Sequence, residues 1–353
     1  MDHGGGGGNG GAGRTRGARV TGPPAATAAV RLAVRRVLPA GPVAAAVSGG
    51  ADSLALAAAL AFERPGAYAL VVDHGLQPGS AQVAARAADQ CRELGLTAEV
   101  LTARSSELPQ DRRAGEAPKI MGGGHGHGRG GARGGEGGPE GAARAVRYAL
   151  LAAAADRLHL QAVLLGHTLD DQAESVLLGL ARGSGARALA GMPAQRDRYR
   201  RPLLRLDRAT TRAACAEAGL TAWQDPHNDD PAYARVRVRA TVLPVLEREL
   251  GPGVASALAR TAAQLREDAD ALDAMTPDLP GAPDVTGLAF LAPALLARAL
   301  KRWAEQQAGQ AVTAAHVEAL RALVEHWHGQ GPVALPGGAA VERRDGRLTC
   351  RRD

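Results

Sequence analysis

The chain has 353 residues, of which 45% are hydrophobic and 22% charged, and 42 Lys and Arg against 36 Asp and Glu give a formal net charge of +6. This length predicts two or three folded domains with a sizeable core, and the arginine-rich charge favours a polyanionic partner. Three widely spaced cysteines exclude a disulfide framework and a paired-cysteine metal site. This cysteine usage is typical of proteins in a reducing compartment. Without a signal-peptide core or an apolar stretch near the roughly 20 residues of a membrane helix, the chain is predicted to be soluble and cytoplasmic, with no membrane partner.

Glycine and arginine dominate two segments, residues 1–22 and residues 109–138. Such segments bury too little apolar surface to offset the entropy of ordering, so both are predicted to be disordered. They delimit the predicted organisation, which is a tail at 1–22, a main domain at 23–250 that carries the insert, and an accessory region at 251–353.

An unusual loop follows the first predicted strand. The run Val43–Val47 predicts a strand and Leu54–Phe62 a helix, with the sequence SGGADS at 48–53 between them. Glycines at a helix N-terminus expose backbone N–H groups to an anion. The lysine of the common phosphate-binding loop is missing, so Asp52 is expected to hold a magnesium ion that bridges to phosphate. The alternative is a plain turn with Asp52 near the helix N-cap.

Strand-like and helix-like segments alternate along the next hundred residues, which predicts a parallel sheet with helices on both faces. Ligands bind such sheets beyond the carboxyl ends of the strands. Polar residues follow three of the predicted strands, at 48–53, 73–75 and 166–174. The predicted elements are strands at Tyr68–Asp73, Ala98–Thr102 and Ala162–Gly166 and helices at Ala81–Leu94 and Arg144–Leu158.

The third polar cluster contains the sequence DDQAE. If it opens a helix, Asp170, Asp171 and Glu174 share one face, because residues three and four apart are neighbours there. Acids at a helix N-terminus also suit the helix dipole, so simple capping is one interpretation. The other is a cation site, either for magnesium or for the ammonium group of a substrate.

Arginines are dense in the middle of the chain, in 196–212 and again in the sequence YARVRVR at 233–239. Side-by-side arginines with few aromatics suit contact with a nucleic-acid backbone, although each alone could be a solvated surface residue. After Leu250 the sequence predicts a helix at 252–275, two more within 293–328, and a hairpin near the C-terminus, where Asp-Gly separates short strand-like runs.

These motifs together resemble a known family. SGGADS is similar to the loop of the PP-loop ATP pyrophosphatase superfamily, and the remaining motifs, in order, resemble tRNA(Ile)-lysidine synthetase. The matching pieces are VDHGLQPGS (72–80), ARAVRY (143–148), GHTLDDQAESVLLGLARGSGARALAGM (166–192), RPLL (201–204) and WQDPHNDDPAYARVRVRATVLPVLEREL (223–250).

The resemblance implies a Rossmann-like PP-loop ATPase domain with a parallel sheet, followed by a mainly helical accessory region. It implies that ATP adenylates carbon 2 of the wobble cytidine in the CAU anticodon of tRNA(Ile). Free L-lysine then displaces AMP to form lysidine, which changes the codon read from AUG to AUA. ATP and Mg²⁺ are the implied cofactors, and a second copy of the chain is a further candidate partner.

The resemblance also implies roles for individual residues. The residues implied as catalytic are Asp52, Asp171, Arg144 and Arg147. Those implied to bind ATP are Ser48, Gly49, Gly50, Ala51, Asp52, Ser53, His74 and His167. Asp171 and Glu174 are implied for lysine, Asp52 and Asp170 for magnesium, and Arg201, Arg205, Arg235 and Arg239 for tRNA.

Several positions depart from the family pattern, including Gln77, Ser175, His227 and Val236, all beside the implied catalytic groups. Three further functions stay open at this point. A tRNA thiolation enzyme of the same superfamily would use the same loop but generally relies on paired cysteines. The second candidate is an amide-forming synthetase for small molecules, and the third is a non-catalytic RNA-binding relative.

Overall fold

The computed structural model describes residues 22–73, 75, 79–102, 139–225 and 230–352, and the side chains of residues 139–143 are not described. The predicted tail (apart from Gly22), the predicted insert and His74 therefore lie outside the described residues. The chain forms two compact units. The first consists of Met1–Thr168 with Ala194–Asn228, and the second of Leu169–Pro193 with Asp229–Asp353.

A mostly parallel sheet organises the first unit, in the order β3-β2-β1-β4-β6-β5, with only the edge pair β5–β6 antiparallel. The chain moves from β1 outward to β3 and then returns to place β4 on the other side of β1. The strands are β1 (Val43–Val47), β2 (Tyr68–Asp73), β3 (Thr97–Thr102), β4 (Ala162–Leu165), β5 (Gln195–Arg196) and β6 (Tyr199–Arg200). The helices are α1 (Ala25–Arg35), α2 (Ala51–Glu63), α3 (Ser80–Glu93), α4 (Pro139–Arg157) and, later in the chain, α7 (Arg208–Glu217).

Both faces of this sheet are buried, which explains why its strands are continuous apolar runs. Val43, Ala45 and Val47 point into a core that includes residues of α1, α2, α3 and α7. Ala44 points the other way, into a core with Leu151 of α4. The predicted parallel sheet with helices on both faces is thereby confirmed.

The second unit is mainly helical and ends in a three-stranded antiparallel sheet, β7-β8-β9. Asp345 and Gly346 both have positive φ in the turn between β8 and β9, as an Asp-Gly hairpin turn requires. The helices are α5 (Leu169–Ala181), α6 (Ala186–Leu189), α8 (Ala234–Arg237), α9 (Leu243–Leu250), α10 (Val254–Met275), α11 (Val285–Ala289), α12 (Pro293–Ala308) and α13 (Ala314–Glu325). The strands are β7 (Val333–Ala334), β8 (Ala339–Arg344) and β9 (Arg347–Arg352).

The predicted helical accessory region and the C-terminal hairpin are therefore also confirmed. The core of the accessory region contains Leu300 and Trp303 of α12, Leu320 of α13 and, from the sheet, Val341 of β8. The predicted domain boundary at residue 250 is a different kind of division from the two compact units, and it stays a prediction. Within the described residues, no helix is both long and apolar enough to cross a membrane.

We expect Leu164→Ala to lower the free energy of unfolding by about 2–5 kcal/mol, because it leaves a cavity in the fully buried strand β4. Urea unfolding followed by circular dichroism measures the change. Leu32→Ala on α1, where the side chain is 44% exposed, is the matched control and should cost clearly less. Equal losses in the two variants would contradict the placement of β4 at the centre of the sheet.

Candidate active site

The loop between β1 and α2 is held in shape by its own serine. Gly49 has φ +85°, a conformation that favours glycine, and Gly50 is the N-cap of α2. The buried Ser53 hydroxyl accepts from the Ser48 N–H at 3.2 Å and donates to the Gly50 carbonyl at 2.8 Å. Ser48 itself is exposed. The loop therefore presents its first serine and the N-terminus of α2 to solvent, as an anion site requires.

Asp52, in the first turn of α2, meets one face of helix α7. The Thr211 hydroxyl donates to Asp52 Oδ1, and Arg208 Nε lies 3.7 Å from Asp52 Oδ2. Thr211 is fully buried and the Arg208 side chain is 12% exposed. Burial, with a smaller contribution from Asp52, raises the pKa of the Cys215 thiol one turn further along α7. The acid of the loop is thus fixed by residues far away in sequence.

Other polar groups collect at the carboxyl ends of β2 and β4. Asp73 ends β2, is buried, and accepts from the Gly75 N–H at 3.0 Å. Gly166 follows β4, and a Cβ there would lie 3.2 Å from the backbone of Ser53, so a larger residue would require the loop to shift by a few tenths of an ångström. His167 is half-buried beside it. The loops after β1 and β4 flank the position where the strand order reverses, which is where such sheets bind ligands.

An aromatic pair links helix α4 to strand β6. The Tyr148 ring meets Tyr199 edge to face, with 5.1 Å between the centroids, and its hydroxyl accepts from Arg144 at 3.3 Å and Arg201 at 3.4 Å. The Arg144 guanidinium also lies 5.1 Å from the centroid of the Tyr148 ring. Arg144 and Arg147 are exposed on α4, whereas Arg201 is only 6% exposed.

In the second unit, Glu174 of α5 is completely buried in an ion cluster. Arg239 holds it with two hydrogen bonds, 2.7 Å from Nε to Oε1 and 3.1 Å from Nη2 to Oε2. Arg235 Nε lies 3.3 Å from Glu174 Oε2, and Arg239 Nη2 lies 3.7 Å from Asp171 Oδ1. Two carboxylates and two guanidiniums therefore balance, as burial of a charge requires. The Asp171 side chain remains 15% exposed.

Gln172, between these two acids, fixes the loop that follows α6. Its amide accepts from the Met192 N–H at 2.6 Å and donates to the Met192 carbonyl at 2.9 Å. Gly191 has φ +61°, and a Cβ there would lie 2.5 Å from the Gln172 oxygen. Arg266 of α10 donates to the carbonyls of Ala190 and Gly191. The loop at 190–192 is therefore fixed to α5 by hydrogen bonds at its own backbone.

Most of the residues predicted for the site are within the described part of the chain. Ser48 to Ser53 span the loop after β1 and the first turn of α2, Arg144 and Arg147 share one helix, and Asp170, Asp171 and Glu174 lie in the first turns of α5. Of the arginines predicted for tRNA, Arg205 is exposed, Arg201 is interior, and Arg235 and Arg239 pair with Glu174.

The sequence places Tyr148 and Gly166 in motifs and Arg208 in an arginine-rich run, but it does not reveal their contacts or those of Thr211, because each contact joins distant parts of the fold. Among the described residues, no three His, Cys, Asp or Glu side chains come together as a metal-binding group.

Family models match two parts of this chain. Residues 29–246 match the family model of a PP-loop domain, and residues 284–349 match a TilS substrate binding domain. The chain is therefore an ATP-using enzyme of the PP-loop class.

Curated relatives show which family of the PP-loop class this chain belongs to. A tRNA(Ile)-lysidine synthase from Leifsonia xyli subsp. xyli is 51% identical over 86% of this chain and 87% of its own length. One from Salinispora arenicola is 49% identical over 91% and 95%, and one from Streptomyces coelicolor is 45% identical over 94% and 99%. The chain belongs to the tRNA(Ile)-lysidine synthase family.

Among solved structures, the U34-tRNA thiolase NcsA from Methanococcus maripaludis is similar with a TM-score of 0.50 and 18% identity. The match covers 69% of this chain and 79% of that one. At this identity the likeness concerns the fold alone.

We expect Glu174→Gln to destabilise the protein by about 3 kcal/mol, because two guanidiniums would keep no buried carboxylate between them. Glu318→Gln on α13 is the control, since that side chain is 74% exposed and its pair with Arg321 contributes little. Chemical unfolding of both variants checks the difference. A Glu174→Gln protein as stable as the control would show that the cluster is not a stabilising ion network.

Proposed function

We propose that this chain ligates lysine to the wobble cytidine of tRNA(Ile) in two steps. The oxygen on carbon 2 of the base attacks the α-phosphorus of ATP, and pyrophosphate leaves. The ε-amine of lysine then attacks carbon 2, AMP leaves with that oxygen, and the amine loses its proton. The observation that carries the proposal is the SGGADS loop at the reversal of strand order, in a chain of this family.

The loop serves the first step by holding the leaving pyrophosphate. Backbone N–H groups from Gly49 to Ser53 point along the start of α2, where the helix dipole favours an anion. Ser48 adds an exposed hydroxyl, and His74 and His167 are proposed to line the same site. Because the loop has no lysine, the charge of the phosphates must be balanced by other groups.

Asp52 fits a magnesium ion bound mainly through the nucleotide. It is a single carboxylate beside an anion site, and magnesium usually takes one or two carboxylates while phosphates and water complete its shell. Asp170 is the second proposed ligand. Magnesium bound there would neutralise the charge that develops on the pyrophosphate. Arg144 and Arg147 present exposed guanidiniums on α4, which we propose contact the ATP or the adenylate.

Lysine recognition is proposed for Asp171 and Glu174. Asp171 is partly exposed and can accept directly from a substrate amino group. Glu174 is buried under two arginines, so its contribution is proposed to pass through the cluster that fixes Asp171 and Arg239. Asp171 is therefore proposed to contact lysine directly, and Glu174 to act indirectly by fixing Asp171 and Arg239.

Contact with the tRNA backbone is proposed for Arg205, which is exposed just after the buried RPLL segment. The interior position of Arg201 supports a structural contribution, and Arg235 and Arg239, which are 38% and 30% exposed while paired with Glu174, would contact phosphate with their remaining N–H groups. A homodimer is a further expectation, which light scattering would measure.

The direct test of the reaction incubates the protein with tRNA(Ile), ATP, Mg²⁺ and radiolabelled lysine, omitting one component at a time. Label should enter the tRNA only in the complete mixture, with release of AMP and pyrophosphate. A label that never enters the tRNA, while a sulfur donor modifies it, would instead support a thiolation enzyme.

Asp52→Asn should abolish ATP-dependent release of pyrophosphate while the fold is retained, because a neutral amide holds magnesium poorly. A coupled pyrophosphate assay measures the loss. Asp89→Asn on α3, a 66% exposed acid in the same unit, is the control and should keep full turnover. Wild-type turnover in Asp52→Asn would remove this acid from the mechanism.

Asp171→Asn should raise the KM for lysine at least tenfold, or about 1.4 kcal/mol, because one charge-assisted hydrogen bond to the amino group is lost. ATP-dependent adenylation of the tRNA should persist. Asp278→Asn, at an 83% exposed acid paired with Arg302, is the control. Loss of adenylation with an unchanged lysine KM would move Asp171 to the nucleotide.

A further inference from the structure

Helix α7 packs against the loop after β1, although the two are far apart in the sequence. Arg208, Thr211 and Cys215 follow one another at intervals of three and four residues, so they share one face of the helix. That face meets Asp52, which is 159 residues away from Thr211 in the sequence. None of the roles proposed for the loop requires a buried threonine at this point.

The Thr211 hydroxyl has one proton and two acceptors within reach. One is the Arg208 carbonyl in the preceding turn of α7, at 3.0 Å, and the other is the Asp52 carboxylate. A charged acceptor binds a hydroxyl more strongly than a neutral carbonyl does, so the bond to Asp52 is favoured. Because Thr211 is 0% exposed, water does not compete at its side chain.

Asp52 needs such a partner for a physical reason. It lies two residues after a pair of glycines, its side chain is 25% exposed, and it is the only charged residue between Ser48 and Ser53. A carboxylate that samples several rotamers must be ordered when ligand binds, and that ordering reduces affinity. A donor that is itself locked in the core orders the carboxylate beforehand.

We propose that Thr211 is a positioning residue that orients the Asp52 carboxylate for the metal-bound nucleotide, with Arg208 as the adjacent counter-charge. The inference rests on the proposed function for its nucleotide, but not on the identity of the second substrate. Thr211 acts through Asp52 and does not itself touch the reacting atoms.

A double-mutant cycle tests this with binding of ATP and MgCl₂, measured by calorimetry without tRNA or lysine. Thr211→Val removes the hydroxyl at nearly constant shape and should weaken binding about tenfold, or about 1.4 kcal/mol. Thr211→Ser keeps the donor and should bind within about threefold of wild type. In the Asp52→Asn background, Thr211→Val should have no further effect, because the acceptor charge is already gone.

Thr210→Val, the neighbouring position on α7, is the matched control and should bind as wild type does. The proposal is overturned if Thr211→Val binds normally, if Thr211→Ser is as weak as Thr211→Val, or if the valine effect is the same in both backgrounds. Wild-type protein that binds ATP but never joins lysine to tRNA would refute the proposed function. The double-mutant cycle would still test the role of Thr211 in that case.

Discussion

The close approach of the β4 end to the loop after β1 is the constraint on which the nucleotide site depends. A Cβ at Gly166 would lie 3.2 Å from the backbone of Ser53, closer than an ordinary van der Waals contact. Ser53 in turn holds Ser48 and Gly50 through its hydroxyl. The shape of the anion site is therefore set by backbone contacts and one buried serine, before any charged side chain contributes.

The charge of the loop after β1 is balanced by residues outside the loop. A phosphate-binding loop with a lysine carries its own counter-charge, whereas this loop carries only an acid. Arg208 and Thr211 on α7 meet that acid, so the helix contributes to the electrostatics of the loop as well as to the core. In the second unit, Glu174 is likewise balanced by arginines from a later segment. In each unit, therefore, an acid near a helix start is matched by basic residues that follow it in the chain.

Local patterns suffice to predict much of the fold. The strand at Val43–Val47 has the same bounds in the sequence and in the structure, because an apolar run beside a glycine turn leaves few alternatives. The strands β5 and β6 have two residues each, and their arginine-rich sequence lacks the apolar alternation that would predict them. The pairing of Thr211 with Asp52 depends on how α7 packs, which no local pattern contains. Arg235 and Arg239 show the same limit, since their spacing indicates a basic surface while their partner is a buried acid 61 and 65 residues earlier.

The net charge of +6 is therefore a poor guide to where tRNA binds. Arginine suits ion pairs within a protein because its planar fork matches a carboxylate, and several arginines here pair in that way, whether buried or at the surface. Arg239 holds Glu174, Arg187 pairs with Asp270 and Asp273, and Arg298 pairs with Asp273. Each such pair leaves fewer N–H groups of the guanidinium available to phosphate. Exposed arginines outside these pairs, such as Arg205 and Arg212, form a smaller set than the sequence indicates. A search for tRNA contacts in the first unit should therefore begin with exposed arginines rather than with arginine density.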